Sequence, residues 1–138
     1  MKKRHLLLAL LPLLSAPASN VQAADDDYAR LAATLCDFAR ANDRTLFRKK
    51  IKDADLQLRR VYGGILCGKE GAFNGGSLLR TAIAFNATDV TDFILSQVGN
   101  AAVSAPEHDG KTILQWTEEQ AASDPAKKPF IDMLKATN

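Results

Sequence analysis

The sequence predicts an all-α domain of helix pairs, tied near its N-terminus by a disulfide. Three observations carry this. Apolar residues recur at three- and four-residue spacing through most of the chain. The segments 74–82 and 109–117 repeat one pattern of turn, cap and apolar residues at an offset of 35. Cys36 and Cys67 form an even pair in a chain that begins with the pattern of an export leader.

Lys2, Lys3 and Arg4 form a positive start, and Leu6 to Leu14 an apolar run of signal-peptide length. That run is too short to span a bilayer. Val21-Gln22-Ala23 fits the small-residue cleavage rule, with the cut before Ala24, so residues 1–23 are read as a signal peptide and the periplasm as the destination. There is no Cys at the cut to carry a lipid anchor, and no later segment is apolar enough to cross a membrane. The full chain has Lys+Arg 18 against Asp+Glu 16. The leader removes three basic residues and no acidic one, so residues 24–138 carry a formal charge of −1 rather than +2. A nucleic-acid partner inferred from overall basicity is excluded on that ground.

Residues 24–138 are read as a single domain. Residues 24–27, Ala-Asp-Asp-Asp, read as a solvated leader with N-cap character. From Tyr28, the residues Leu31, Ala32, Leu35, Cys36, Phe38 and Ala39 fall on one helical face. Residues 41–44 break this helix, and a basic helix follows from about Thr45 to Ala54. Leu56 and Leu58 begin a stretch that is helical or extended. The Gly-rich part up to Gly76 is a loop pinned by Cys67. Ser77 caps a helix with Leu79, Ala82 and Ile83 on its inner face. Thr88 caps the next, with Val90, Phe93, Ile94 and Val98 as its apolar stripe and Gly99 as its end. Residues 100–110 read as a loop, 111–122 as a helix, 123–129 as a break, and 130–136 as a final short helix.

The enclosed loop of about 30 residues would add roughly 3–4 kcal/mol if Cys36 and Cys67 join. A redox pair usually has Cys-x-x-Cys spacing and zinc needs about four ligands, whereas the exported chain retains only His108 besides the two Cys. A structural disulfide is therefore expected, and neither a metal nor a cofactor.

The segments 74–82 and 109–117 resemble the ankyrin pattern, in which Asp/Asn-Gly-x-Thr precedes Pro-Leu-His-x-Ala. Asn86 stands where that pattern has an inter-helix Gly, and Asn is the best substitute for Gly in the left-handed region. The resemblance implies an ankyrin-like stack: two units over 74–138, and a degenerate helical pair plus loop over 24–73 as a disulfide-tied cap. Neither copy has the Pro or His of the motif, and Thr117 replaces its small Ala. The exported part also resembles a small family of bacterial exported proteins known only as a domain of unknown function, through LCDFARAND (35–43), LRRVYGGILC (58–67) and SLLRTAIAFNATDV (77–90). That resemblance supplies no activity.

The ankyrin mapping puts Phe85, Lys111 and Glu119 at positions that face partners, and His108 in the turn before a unit. These four are the candidate protein-binding residues. Arg48, Lys49, Lys52, Arg59 and Arg60 lie in the densest basic run and are the candidates for an anionic surface, lipid headgroup or polyanion. The competing reading of that run is a solvated helix face partly neutralised by Asp53 and Asp55. His108 with Glu107 and Asp109 has no Ser or Cys nucleophile nearby in sequence. Glu118 and Glu119 point apart on a helix and make no dyad. Gly75-Gly76 before Ser77 lacks the Lys that a phosphate loop needs. Trp116 is read as a core residue. The expectation is a non-enzymatic protein-binding or accessory module of the envelope, with an anion binder as the alternative.

Overall fold

The computed structural model describes residues 19–137, with side chains from Ala24 onward. The expected leader therefore lies outside the described residues up to position 18. Seven α-helices follow: α1 (Ser19–Arg40), α2 (Arg44–Asp53), α3 (Leu58–Val61), α4 (Leu78–Ala84), α5 (Thr88–Ser104), α6 (Ile113–Ser123) and α7 (Lys128–Thr137). Two single 3-10 turns, Tyr62–Gly64 and Pro125–Lys127, continue α3 and precede α7. Among the described residues the only β pairing is two isolated bridges, Cys67 with Gly76 and Glu70 with Phe73.

Residues 24–27 are helical rather than a leader with a cap, because α1 runs unbroken from Ser19. Asn42, at φ 54°, ends that helix, and the Asp43 carboxylate then caps α2 by accepting from the Leu46 N–H at 2.9 Å. Asp55, also left-handed at φ 51°, turns the chain into α3. Residues 67–76 form a tight antiparallel loop. Gly75 is obligatory there: a Cβ on it would sit 2.8 Å from the Cys67 carbonyl oxygen.

Ser77 caps α4 as expected, accepting from the Arg80 N–H at 3.2 Å. Thr112 caps α6 the same way and completes a capping box with Gln115. The two helix starts thus match at the offset of 35 found in the sequence. Asn86 takes the left-handed conformation (φ 57°) between α4 and α5. Thr88 is not the cap of α5. It is the first helical residue, and the N-cap, Ala87, has no side-chain acceptor. Asn42 supplies one from the turn between α1 and α2: its Oδ1 accepts from Asp89 N–H (3.0 Å) and Val90 N–H (3.1 Å).

Gly99 interrupts the helix as expected, with non-helical φ 69°, ψ −171°, but a second helical segment follows at once across a kink, so Asn100–Ser104 is helical rather than loop. These dihedrals are open to Gly alone, and the segment beyond the kink buries Val103.

The core is continuous. α5 lies at its centre, packed against α2, α3, α4, α6 and α7, while α1 covers α4. Leu79, Ala82, Val90, Phe93 and Ile94 are buried as the periodicity requires. Phe47 of α2 meets Phe93 edge to face at 5.9 Å. Cys36 and Cys67 are bonded, Cα–Cα 5.6 Å, which fixes α1 to the 67–76 loop. Each buried threonine, Thr81, Thr91 and Thr117, donates its hydroxyl to the carbonyl four residues earlier, so burial leaves no bare hydroxyl. Buried Lys127 donates to Ala84 O at 3.0 Å and Asn86 Oδ1 at 2.7 Å, placing a cation at the C-terminal end of α4.

Candidate functional site

The densest cluster of charged and polar side chains among the described residues centres on Arg80, which the sequence alone did not single out. Arg80 sits on the first turn of α4, among leucines and alanines, with its side chain 3% exposed. A guanidinium cannot be buried unpaired. The turn before α6 supplies the partners. Arg80 Nε donates to Glu107 Oε1 at 2.6 Å, and its two terminal nitrogens donate to the two Asp109 oxygens at 2.8 and 2.7 Å. The Tyr62 hydroxyl donates to Glu107 Oε2 at 2.7 Å, and Ser77 Oγ donates to Glu107 Oε1 at 3.0 Å. The Arg80 guanidinium also lies 5.3 Å from the centroid of the Trp116 ring.

The electrostatics follow from this geometry. The Arg80 hydrogen bonds hold the Asp109 carboxyl well below the usual carboxylate range, assisted by the Lys111 N–H. Burial, then the Glu107 charge, push the Tyr62 phenol well above its ordinary value. Every polar group here is committed to another. Its mechanical effect is to clamp the 105–111 turn onto α4 and the Tyr62 turn. Part of it was legible: an Arg inside an apolar helical face, with an acidic turn downstream, is a buried cation in search of carboxylates.

The clamp builds one wall of a groove of about 660 Å³. Arg59, Arg60 and Tyr62 line one side, and Ala101, Ala102 and Ala105 the other. Ile65, Leu66 and Val98 add apolar surface, and Pro106, Glu107 and His108 line the side made by the turn. The three alanines follow the bend at Gly99, and their small side chains leave the groove its width. Leu66 is 59% exposed and is shared with a shallower trough against Tyr28, Ala29, Ala32 and Ala33 of α1.

The sequence-predicted residues fall in four places. Phe85 is 36% exposed, at the end of an aromatic row: its ring meets Phe73 at 6.1 Å, and Phe73 meets Trp116 at 6.4 Å, both edge to face. Trp116 is half-buried against the core. His108 is exposed on the turn at the groove. Lys111 and Glu119 pair with each other at 2.8 Å on the surface, away from Phe85's contacts. The basic run is divided between two helices. Arg48, Lys49 and Lys52 are exposed on α2, with Lys49 paired to Asp53, whereas Arg59 and Arg60 are exposed on α3 at the groove.

A family described as "Protein of unknown function (DUF3718)" matches residues 35–105, slightly more than half of the chain. The chain belongs to the DUF3718 family. The DUF3718 match contains both cysteines, the whole basic run, Arg80 and the bend at Gly99, and it ends just before Glu107 and Asp109. Neither a curated protein nor a solved structure matches the chain.

Proposed function

We propose that this protein is a non-enzymatic binding or accessory module of the cell envelope. It works in the periplasm after cleavage before Ala24 and engages a protein partner through the edge that ends in Phe85. In this reading α4–α5 and α6–α7 are two ankyrin-like units, and the disulfide-tied helices before them are their cap. The matched caps Ser77 and Thr112 support the pairing. Cleavage before Ala24 would leave Asp25, Asp26 and Asp27 in the first turn of α1, where the helix dipole favours acids. The non-catalytic reading is supported by the clamp, whose hydroxyls and carboxylates are all bound to one another rather than aimed at open space.

The observation that carries the proposal is the aromatic row. A large apolar ring held in one orientation by Phe73 loses little freedom when a partner covers it, which is the property of an interface anchor. A photo-crosslinking residue at position 85, introduced in intact envelope, tests it. Discrete protein adducts that vanish on competition with untagged protein, but persist when the competitor carries Phe85→Ala, support the reading. Lipid or glycan adducts alone would reverse it.

The second reading, an anionic surface or polyanion held through Arg48, Lys49, Lys52, Arg59 and Arg60, is favoured by one observation. Arg48, Lys52, Arg59 and Arg60 have no carboxylate within ion-pair distance among the described residues. Polyanion binding would fall steeply between low and moderate salt and with Arg48→Glu plus Lys52→Glu. Binding through Phe85 would respond to neither.

A further inference from the structure

We propose that the groove between α3 and the bent end of α5 binds a small single-chain amphiphilic anion. The apolar body lies along Leu66, Ala101 and Ala105, and the acidic head is held by Arg59 and Arg60. This site is separate from Phe85 and does not rest on the protein-partner reading.

Three features argue for it. The first is shape: about 660 Å³ is the size of small-molecule sites, enough for one chain and its head. It is prebuilt, because the Gly99 bend fixes one wall and the Arg80–Glu107 clamp fixes the turn beside it. The second is chemistry. The surface facing into the groove is mostly apolar, and Leu66, 59% exposed, stands over it without a partner side chain to cover it.

The third is charge. Arg59 and Arg60 both line the groove, are exposed, and have no carboxylate within ion-pair distance among the described residues. Glu107 borders the same groove but is bound by Arg80, Ser77 and Tyr62, so its oxygens are not free to neutralise them. A Cβ placed on Gly99 would lie 3.8 Å from Arg59 Nη2, which puts this guanidinium beside the bend, and Arg59 itself lines the groove. Two unneutralised arginines at an apolar groove suit a chain ending in a carboxylate or phosphate.

Titration calorimetry of the disulfide-intact protein decides it, using decanoate, decyl phosphate, decanol and decyltrimethylammonium, with vesicles of neutral or anionic lipid as a separate arm. The expected result is 1:1 binding of decanoate or decyl phosphate at least about tenfold tighter than decanol, and none of the cation. Arg59→Glu plus Arg60→Glu should remove that preference while decanol binding stays. Ala101→Phe should fill the groove and abolish binding of both. Phe85→Ala should change nothing, which separates this site from the partner edge. Circular dichroism confirms that each variant is folded. Equal binding of decanoate and decanol, insensitivity to Ala101→Phe, binding to anionic vesicles only, or no binding at all would each overturn the proposal.

Discussion

Arg80→Met should be among the most damaging single substitutions in this protein, although it exchanges a charged residue for one with good helix propensity. The Arg80 and Glu107 side chains are 3% and 7% exposed. Methionine fills most of the volume but leaves the Glu107 carboxylate buried without its cation. Breaking a buried pair in this way costs about 3–5 kcal/mol. A domain of this size has about 5–15 kcal/mol in total. At about 4 °C per kcal/mol, the expected loss in Tm is roughly 12–20 °C. Thermal and urea unfolding followed by far-UV circular dichroism measure it, and Trp116, the single tryptophan, reports the same event through its contact with Arg80. The decisive comparison adds Glu107→Gln. Glu107 is then no longer a buried unpaired charge, and Asp109, 35% exposed, can be hydrated, so the double variant should regain more than half of the loss, the amide oxygen still accepting from Tyr62 or Ser77. The pH profile supplies a further check. The folded Asp109 carboxyl lies below its unfolded value of about 3.9. Its contribution is therefore present above that value and is lost as pH falls through the folded one. Below pH ~4 the parent should lose stability more steeply than Arg80→Met, which has no such pair to lose. A loss under about 1 kcal/mol in the single variant, or a double variant worse than the single, would refute the reasoning.

Three further outcomes are expected. Asn42→Ala should destabilise by about 1–2 kcal/mol, because two N–H groups at the start of α5 lose their only side-chain acceptor; urea titration checks it, and Asn42→Asp should recover only part of the loss, since its carboxylate would face Asp89 where the Asn42 amide donates. Gly99→Ala should cost about 1–3 kcal/mol and flatten or shift the bend, visible as altered amide shifts in residues 98–105 by NMR, since φ 69°, ψ −171° suits Gly alone. Reducing Cys36–Cys67 should lower stability by about 3–4 kcal/mol, measured by denaturation with and without reductant, and alkylation should then add two labels where the untreated protein takes none.

The parts of the fold read from the sequence were those with a local cause. Helical spacing placed Leu79, Val90 and Ile94, Ser77 announced a cap, and Asn86 announced a left-handed turn. The errors were non-local. Thr88 has the composition of a cap, yet Asn42 does the capping from more than forty residues away, and nothing near Thr88 reports that. Gly99 does break the helix, as its stop signal says, yet helix resumes at Asn100, where Val103 packs into the core. The same holds for the candidate site. The basic run is a single feature in sequence, but the left-handed turn at Asp55 divides it between two helices, which is why only Arg59 and Arg60 reach the groove. Arg80 went unnoticed because a lone arginine in an apolar helix has a meaning only once the acidic turn that folds onto it is known.

The disulfide has a topological consequence beyond stability. It closes residues 36–67 into a covalent ring, and that ring contains all of α2 and α3, with every candidate anion-binding arginine and lysine. The exposed turn at Ala54–Asp55 is the kind of loop tip that proteases cut first. A single cut there would open the ring without releasing a fragment, because each half stays attached, one through α1 and the other through Cys67. Under proteolysis the basic surface is thus retained on the domain through a first nick, and α2 with Arg48, Lys49 and Lys52 is shed only by a second cut, or by a nick followed by reduction.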